Sequence, residues 1–358
     1  MIYVKSIYLY IAKYILLMTT LSIVFVASLD IFFNFLAVQN SVGVGNFGVS
    51  DAFLYAILCS PAHLTEIFPI TLLLGVVFGL GVLSYRSELI ILQSNGLSIN
   101  KLLLIVIAVG MFFTSINMMV SEFIAPKARQ LAELKRAVAK SGSFAATSKQ
   151  GVWLKLNNDF IHINEILLDG TIKGVTQYFI ENNKVKEIRK ANKLFYKNKE
   201  WRAENISITK ITPYNVITSH QEKDIWKKFL KPDFLEVVSI SPDNLGIRDL
   251  VKFIKFRKEN NLNNKSLKLA LYQKISEPFI VLIMILLSFP FVFNKQRSLN
   301  FGLKAFLAIM LGLIYFLVSR TFIVMVQAYK WPLIIGAVGP GVIFGSFAIF
   351  LLYRILRL

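Results

Sequence analysis

Six apolar runs, each long enough to cross a bilayer, decide what this chain can fold into. A hydrocarbon core about 30 Å thick takes about 20 residues of α-helix, and inside it every backbone amide must be satisfied within its own segment. The runs cover about Ile11–Val38, Asp51–Tyr85, Leu102–Val120, Ile275–Phe293, Ala305–Val326 and Trp331–Tyr353. They fall into two groups of three, and the stretch between them, Glu122 to about Lys268, is polar and charged. With 55% hydrophobic residues, the chain is not a soluble globular protein.

The polar stretch reads as strands. Val152–Leu156 and Phe160–Ile163 flank an Asn-Asn-Asp turn, Val175–Ile180 and Val185–Arg189 flank Glu-Asn-Asn, and Lys193–Tyr196 and Trp201–Ala203 flank Lys-Asn-Lys; Ile206–Ile211 follows. Short strands at such spacing predict a sandwich or jelly-roll-like domain. After Ser241-Pro-Asp-Asn a helix is expected over Ile247–Asn260. The predicted fold is a polytopic α-helical membrane protein of six transmembrane helices with an inserted all-β, jelly-roll-like domain. Residues 1–121 hold spans one to three, 122–268 the β-rich domain, and 269–358 spans four to six.

Short loops set the orientation. Lys5, Lys13, Arg86, Lys101, Lys295, Arg297, Arg354 and Arg357 fall on one side, whereas the loop Gln39–Ser50 carries no Lys or Arg and the opposite side has only Lys330 near its last turn. Both termini are therefore expected in the cytoplasm of a bacterium, and the β domain in the periplasm. The net charge of +19 is largely Lys mixed with Asn and comes with no nucleic-acid motif, so it reads as a solvated surface with some attraction for anionic lipid. The single Cys59 rules out an intramolecular disulfide.

One cytoplasmic connector, Arg86 to Ser98, carries the coupling argument. Arg86 and Glu88 open it, Leu89, Leu92 and Gln93 follow at helical spacing, and Gly96 with Ser98 closes it. A short amphipathic helix held between two spans is placed to receive a push from a soluble partner. The chain supplies no motor of its own: GxxxxGK[ST], GxSxG, HExxH and CxxC are all absent. Gly43 to Gly48 spells GxGxxG, but no strand precedes it. No bound cofactor is expected; ATP and magnesium would belong to a partner.

Polar residues inside the spans are few. Asp30 sits about 20 residues into the first run, at the far interface or facing a polar cavity. His63 is a lone histidine near a span entrance and reads as an interfacial polar residue. Arg320 either reaches the interface near Lys330 or lines a polar path for an anionic group. Gly75-Val-Val-Phe-Gly79 and Gly341-Val-Ile-Phe-Gly345 offer faces for close helix packing.

Arg86-Ser-Glu-Leu with Gln93-Ser-Asn-Gly96, Gly151-Val-Trp-Leu, Ser241-Pro-Asp-Asn-Leu-Gly-Ile, the stretch from Lys274 to Pro278 and the overall three-span, outer-domain, three-span plan resemble one family over almost the whole chain. It is the LptF/LptG family of lipopolysaccharide export permeases, of ABC-transporter type, and the match is closer to its LptG branch. The resemblance implies a permease subunit that extracts lipopolysaccharide from the inner membrane for outer-membrane assembly. It implies four partners: a paralogous LptF-like permease, a cytoplasmic LptB-like ATPase dimer on the coupling helices, a single-span LptC-like protein and a periplasmic LptA-like bridge. It assigns ATPase coupling to Arg86, Glu88, Leu89, Leu92, Gln93 and Gly96. Arg136 matches a basic position suited to lipid phosphate. Family members carry lysines along the outward half of the first span, where this chain has Asn34, Asn40 and Ser41. The lipid-binding candidates are therefore Asn34, Arg136 and Arg320. Two other classes remain open: an ABC-type mechanotransmitting component that regulates an envelope process without moving lipid, and a membrane enzyme acting on lipid-linked glycan.

Overall fold

The computed structural model describes residues 2–141, 152–156, 159–167, 171–181, 184–197, 200–226, 229, 242–260, 262–293, 301–329 and 331–356. Among the expectations above, those on Lys295, Arg297, Lys330, Arg357, Gly151 and Ser241 lie outside these residues. Among the described residues, six helices are long and apolar enough to cross a membrane, by length and composition. The chain forms two compact units: Met1–Asn34, Cys59–Lys127 and Lys265–Leu358 make one, and Phe35–Leu58 with Ala128–Asn264 make the other.

The helices are α1 (Ile2–Val38), α2 (Val49–Tyr85), α3 (Glu88–Ser94), α4 (Ile99–Met119), α5 (Ala125–Ser141), α6 (Ile247–Glu259), α7 (Lys265–Phe293), α8 (Phe301–Tyr329) and α9 (Leu333–Leu356). In the first unit, Ile11 and Ile15 of α1, Leu72, Val76 and Leu80 of α2, Leu102 and Val106 of α4, and Ile285 and Phe289 of α7 share one buried cluster. Gly75 is where α2 meets α1: a Cβ there would lie 2.6 Å from Thr19 Cα, so only glycine fits. Gly345 lies against Ile283 of α7, where a Cβ would make an ordinary contact of 3.4 Å.

The polar stretch expected to be strand-like from Glu122 opens as helix instead. Between α4 and α5 lie five residues of π-helix, Val120–Ile124. Pro126 follows, with no N–H to bond the carbonyl four residues back, and a π turn accommodates such a break. Strong helix formers (Ala, Leu, Lys, Arg, Gln, Glu) then carry α5 to Ser141.

Six antiparallel strands follow: β1 (Val152–Leu156), β2 (Asp159–Ile166), β3 (Ile172–Glu181), β4 (Lys184–Lys197), β5 (Glu200–Ile211) and β6 (Val216–Trp226), paired in chain order. The described strands thus form an up-and-down sheet without crossing connections. Val185–Arg189 and Lys193–Tyr196 belong to one strand, as do Trp201–Ala203 and Ile206–Ile211. The polar residues between those pieces do not end the strands, because the ladder continues through them. Ile161, Ile163, Val175, Leu194, Trp201, Ile206 and Trp226 form the core of this unit, with Phe256 of α6 packed against it.

Candidate functional site

The connector between α2 and α4 is built from both ends. Ser87 takes a left-handed conformation at φ 62°, which turns the chain out of α2. Seven residues of helix follow. At its end Gly96 has φ 91°, its N–H bonds Gln93 O at 3.0 Å, and Leu97 N–H bonds Leu92 O at 3.0 Å. These are the two bonds of a Schellman closure, with Leu97 and Leu92 as its apolar contact. Ser98 does not close this helix; it caps the next, its hydroxyl accepting from Lys101 N–H at 3.4 Å.

Charge and burial divide the connector into an anchored side and a presented side. Leu89 is 3% exposed and joins the core with Leu83, Leu97 and Leu102, while Leu92 packs half-buried against it. Gln93 is half-buried as well. Ile90 and Ile91, which the sequence reading passed over, are 50% and 57% exposed. Glu88 Oε2 accepts from Tyr10 OH at 2.9 Å, and Arg86 Nη1 lies 3.9 Å from Glu88 Oε1. The Arg86 guanidinium sits 6.0 Å from the Tyr14 ring centre. Tyr10 and Tyr14 of α1 therefore hold the two charged residues that open the connector.

Among the described residues, three polar clusters lie within the helical unit. Asn34 Nδ2 donates to Asp30 Oδ1 and Asp30 O, both at 2.8 Å, and lies 2.9 Å from His63 Nδ1. His63 Nδ1 is 3.2 Å from Asp30 Oδ1. The histidine read as solitary is thus part of a trio, and Asp30 is held on α1 and α2 rather than standing alone. Arg320 of α8 pairs with Glu66 of α2 and lies 5.3 Å from the Phe316 ring centre. It is drawn to a carboxylate on a neighbouring helix, a partner the sequence reading did not name. Beside the π turn, Asn117 donates to Glu277, and Lys274 Nζ bonds Ser121 Oγ at 2.6 Å. An apolar cavity of about 330 Å³ adjoins it, its lining including Ile23, Phe68, Phe113, Ile116 and Val120 together with Asn117.

Arg136 belongs to the other unit. Its guanidinium lies 5.0 Å from the Tyr55 ring centre and donates to Tyr55 OH and Ser41 Oγ, each at 3.3 Å. Tyr55 OH donates in turn to Glu133 Oε1 at 2.9 Å. This is an oriented arginine near an aromatic ring with part of its fork committed, an arrangement that still presents donors to an anion. Asn34, Arg136 and Arg320 are each in a separate cluster. Among the described residues no three His, Cys, Asp or Glu side chains gather to hold a metal.

A family model described as lipopolysaccharide export system permease LptF/LptG matches residues 9–354. The lipopolysaccharide export system permease protein LptG of Escherichia coli K12 is 30% identical over 349 residues, covering 96% of this chain and 97% of that protein. LptG of Haemophilus influenzae is 29% identical over 338 residues, 94% of each chain.

Proposed function

The chain belongs to the LptF/LptG family of lipopolysaccharide export permeases, and from that membership we propose that it is the LptG-like subunit of a motor-driven exporter in the bacterial inner membrane. It is a transport subunit rather than an enzyme. A cytoplasmic ATPase dimer, carrying ATP and magnesium, docks on α3; a paralogous permease completes the lipid path; a single-span protein and a periplasmic bridge receive the lipid. Extraction exposes acyl chains at about 0.8 kcal/mol per CH₂, which requires an outside source of work.

The observation that carries this reading is the connector. Its Leu89 side is locked into the spans, its Ile90–Ile91 side is open, and Arg86 and Glu88 are tied to α1 through Tyr14 and Tyr10. A push on the open side is thereby delivered to α1 and α2. The test is purification of the native complex from membranes, wild type beside Glu88→Lys. A nucleotide-binding subunit and a second six-span protein should accompany wild type, and the variant should lose the ATPase or its coupling to lipid release. Wild type arriving without an ATPase would end the motor reading. An ATPase bound without lipid crosslinks to the spans would favour a mechanotransmitter.

A further inference from the structure

The sheet changes burial phase along one line. Faces of a strand alternate with a period of two, yet Ile172 and Val175 of β3, Ala191 and Leu194 of β4, and Ala203 and Ile206 of β5 are all buried in one core, three positions apart in each strand. Register does not slip across the line: Ile172 faces Leu194 and Val175 faces Ala191, while Leu194 faces Ala203 and Ala191 faces Ile206. A bulge adds a residue to one strand; here three strands shift together, and the sheet is creased along a row. The row passes through Gly174, Asn192, Asn205 and Glu222, which the flanking pairs place opposite one another. Its left-handed backbone sits at Gly174, φ 66°, and at Asn205, φ 54°.

A glycine would serve at position 205 with less strain, so the asparagine supplies something besides conformation. Asn205 lines a pocket of about 380 Å³ on β4, β5 and β6, together with residues that include Lys190, Asn192, Ser207, His220 and Glu222. Ser207 Oγ and His220 Nδ1 are 3.3 Å apart. Seven of its eight lining residues are polar and the eighth is Ile206, so the wall mixes polar groups with apolar surface, as a sugar ring does. One lysine stands against one carboxylate, so it is not built for a bare anion. Three carboxamides (Asn192, Asn205 and Gln221), a hydroxyl and an imidazole each offer donors and acceptors, which is what vicinal sugar hydroxyls require.

We propose that this creased row forms a saccharide-binding site that holds the sugar portion of the exported glycolipid, an inference that rests on the export reading above. The test uses the full chain in detergent and, as probe, the lipid-free oligosaccharide released from lipopolysaccharide by mild acid. Calorimetric titration should show saturable binding by wild type. Asn205→Gly, which keeps the left-handed backbone and removes the carboxamide, should weaken it at least tenfold with thermal unfolding unchanged; Asn192→Ala should do the same. No saturable binding, equal binding by both variants, or full displacement by inorganic phosphate would each overturn the site. Reconstituted export of lipopolysaccharide separates the two readings. Export without oligosaccharide binding removes the site and leaves the exporter; binding without export removes the exporter and leaves the site.

Discussion

Asn34 shows how much one side chain can hold in an apolar setting. Its amide donates to the Asp30 carboxylate, and Asp30 Oδ2 is buried with no hydrogen-bond partner among the described residues. Asn34→Leu removes the donor and should cost about 1–3 kcal/mol, read as a lowered unfolding temperature in detergent. Asn34→Lys keeps a donor and brings a cation to the unsatisfied oxygen, so it should fold and support growth as wild type does; loss of growth would show that the position faces something a cation repels. The trio was half legible in the sequence. Asp30 and Asn34 are one helical turn apart, a spacing that places both on one face. His63 is 29 positions from Asn34 and on another helix, and no periodicity within a span reports which helices meet. Glu66 and Arg320 were hidden in the same way.

The connector helix was legible as an element but not in its orientation. Turn residues and helical spacing are local, so Gly96 and the run from Glu88 to Ser94 could be read directly. Which apolar face turns inward depends on the neighbouring spans, and Leu89 and Leu92, to which the resemblance gives a coupling role, pack into the core. Two substitutions separate anchoring from docking. Leu89→Ala opens a cavity in that core and should destabilise the chain by about 2–5 kcal/mol. Ile91→Asp changes an exposed position, should leave unfolding unchanged, and should abolish co-purification of the ATPase. Equal ATPase recovery in Ile91→Asp would move the docking surface elsewhere. The sheet taught a related lesson: β4 and β5 were each read as two strands because polar residues interrupt them, whereas the crease carries the ladder through Asn192 and Asn205 without ending it.

For the whole molecule, the decisive property is which way it faces. Lys13, Arg86 and Lys101 mark the ends and connector of the first three spans, and loop cations favour the cytoplasmic side. The sequence-level plan of six apolar helices with an inserted β region matches the structure because both signals are composition over tens of residues, which tertiary packing does not alter. Orientation can be tested with little engineering, since the single native thiol, Cys59, is fully buried. A membrane-impermeant maleimide should therefore leave the wild type unlabelled. Tyr214, in the turn between β5 and β6, is 94% exposed, and Tyr214→Cys should label in cells whose outer membrane has been permeabilised. Ile90→Cys should label only in inverted inner-membrane vesicles. With that pattern the ATPase surface faces nucleotide and the creased sheet faces the compartment through which the lipid leaves. The reverse pattern would place α3 where no ATP is available, and the motor reading would fail on topology alone, whatever the family.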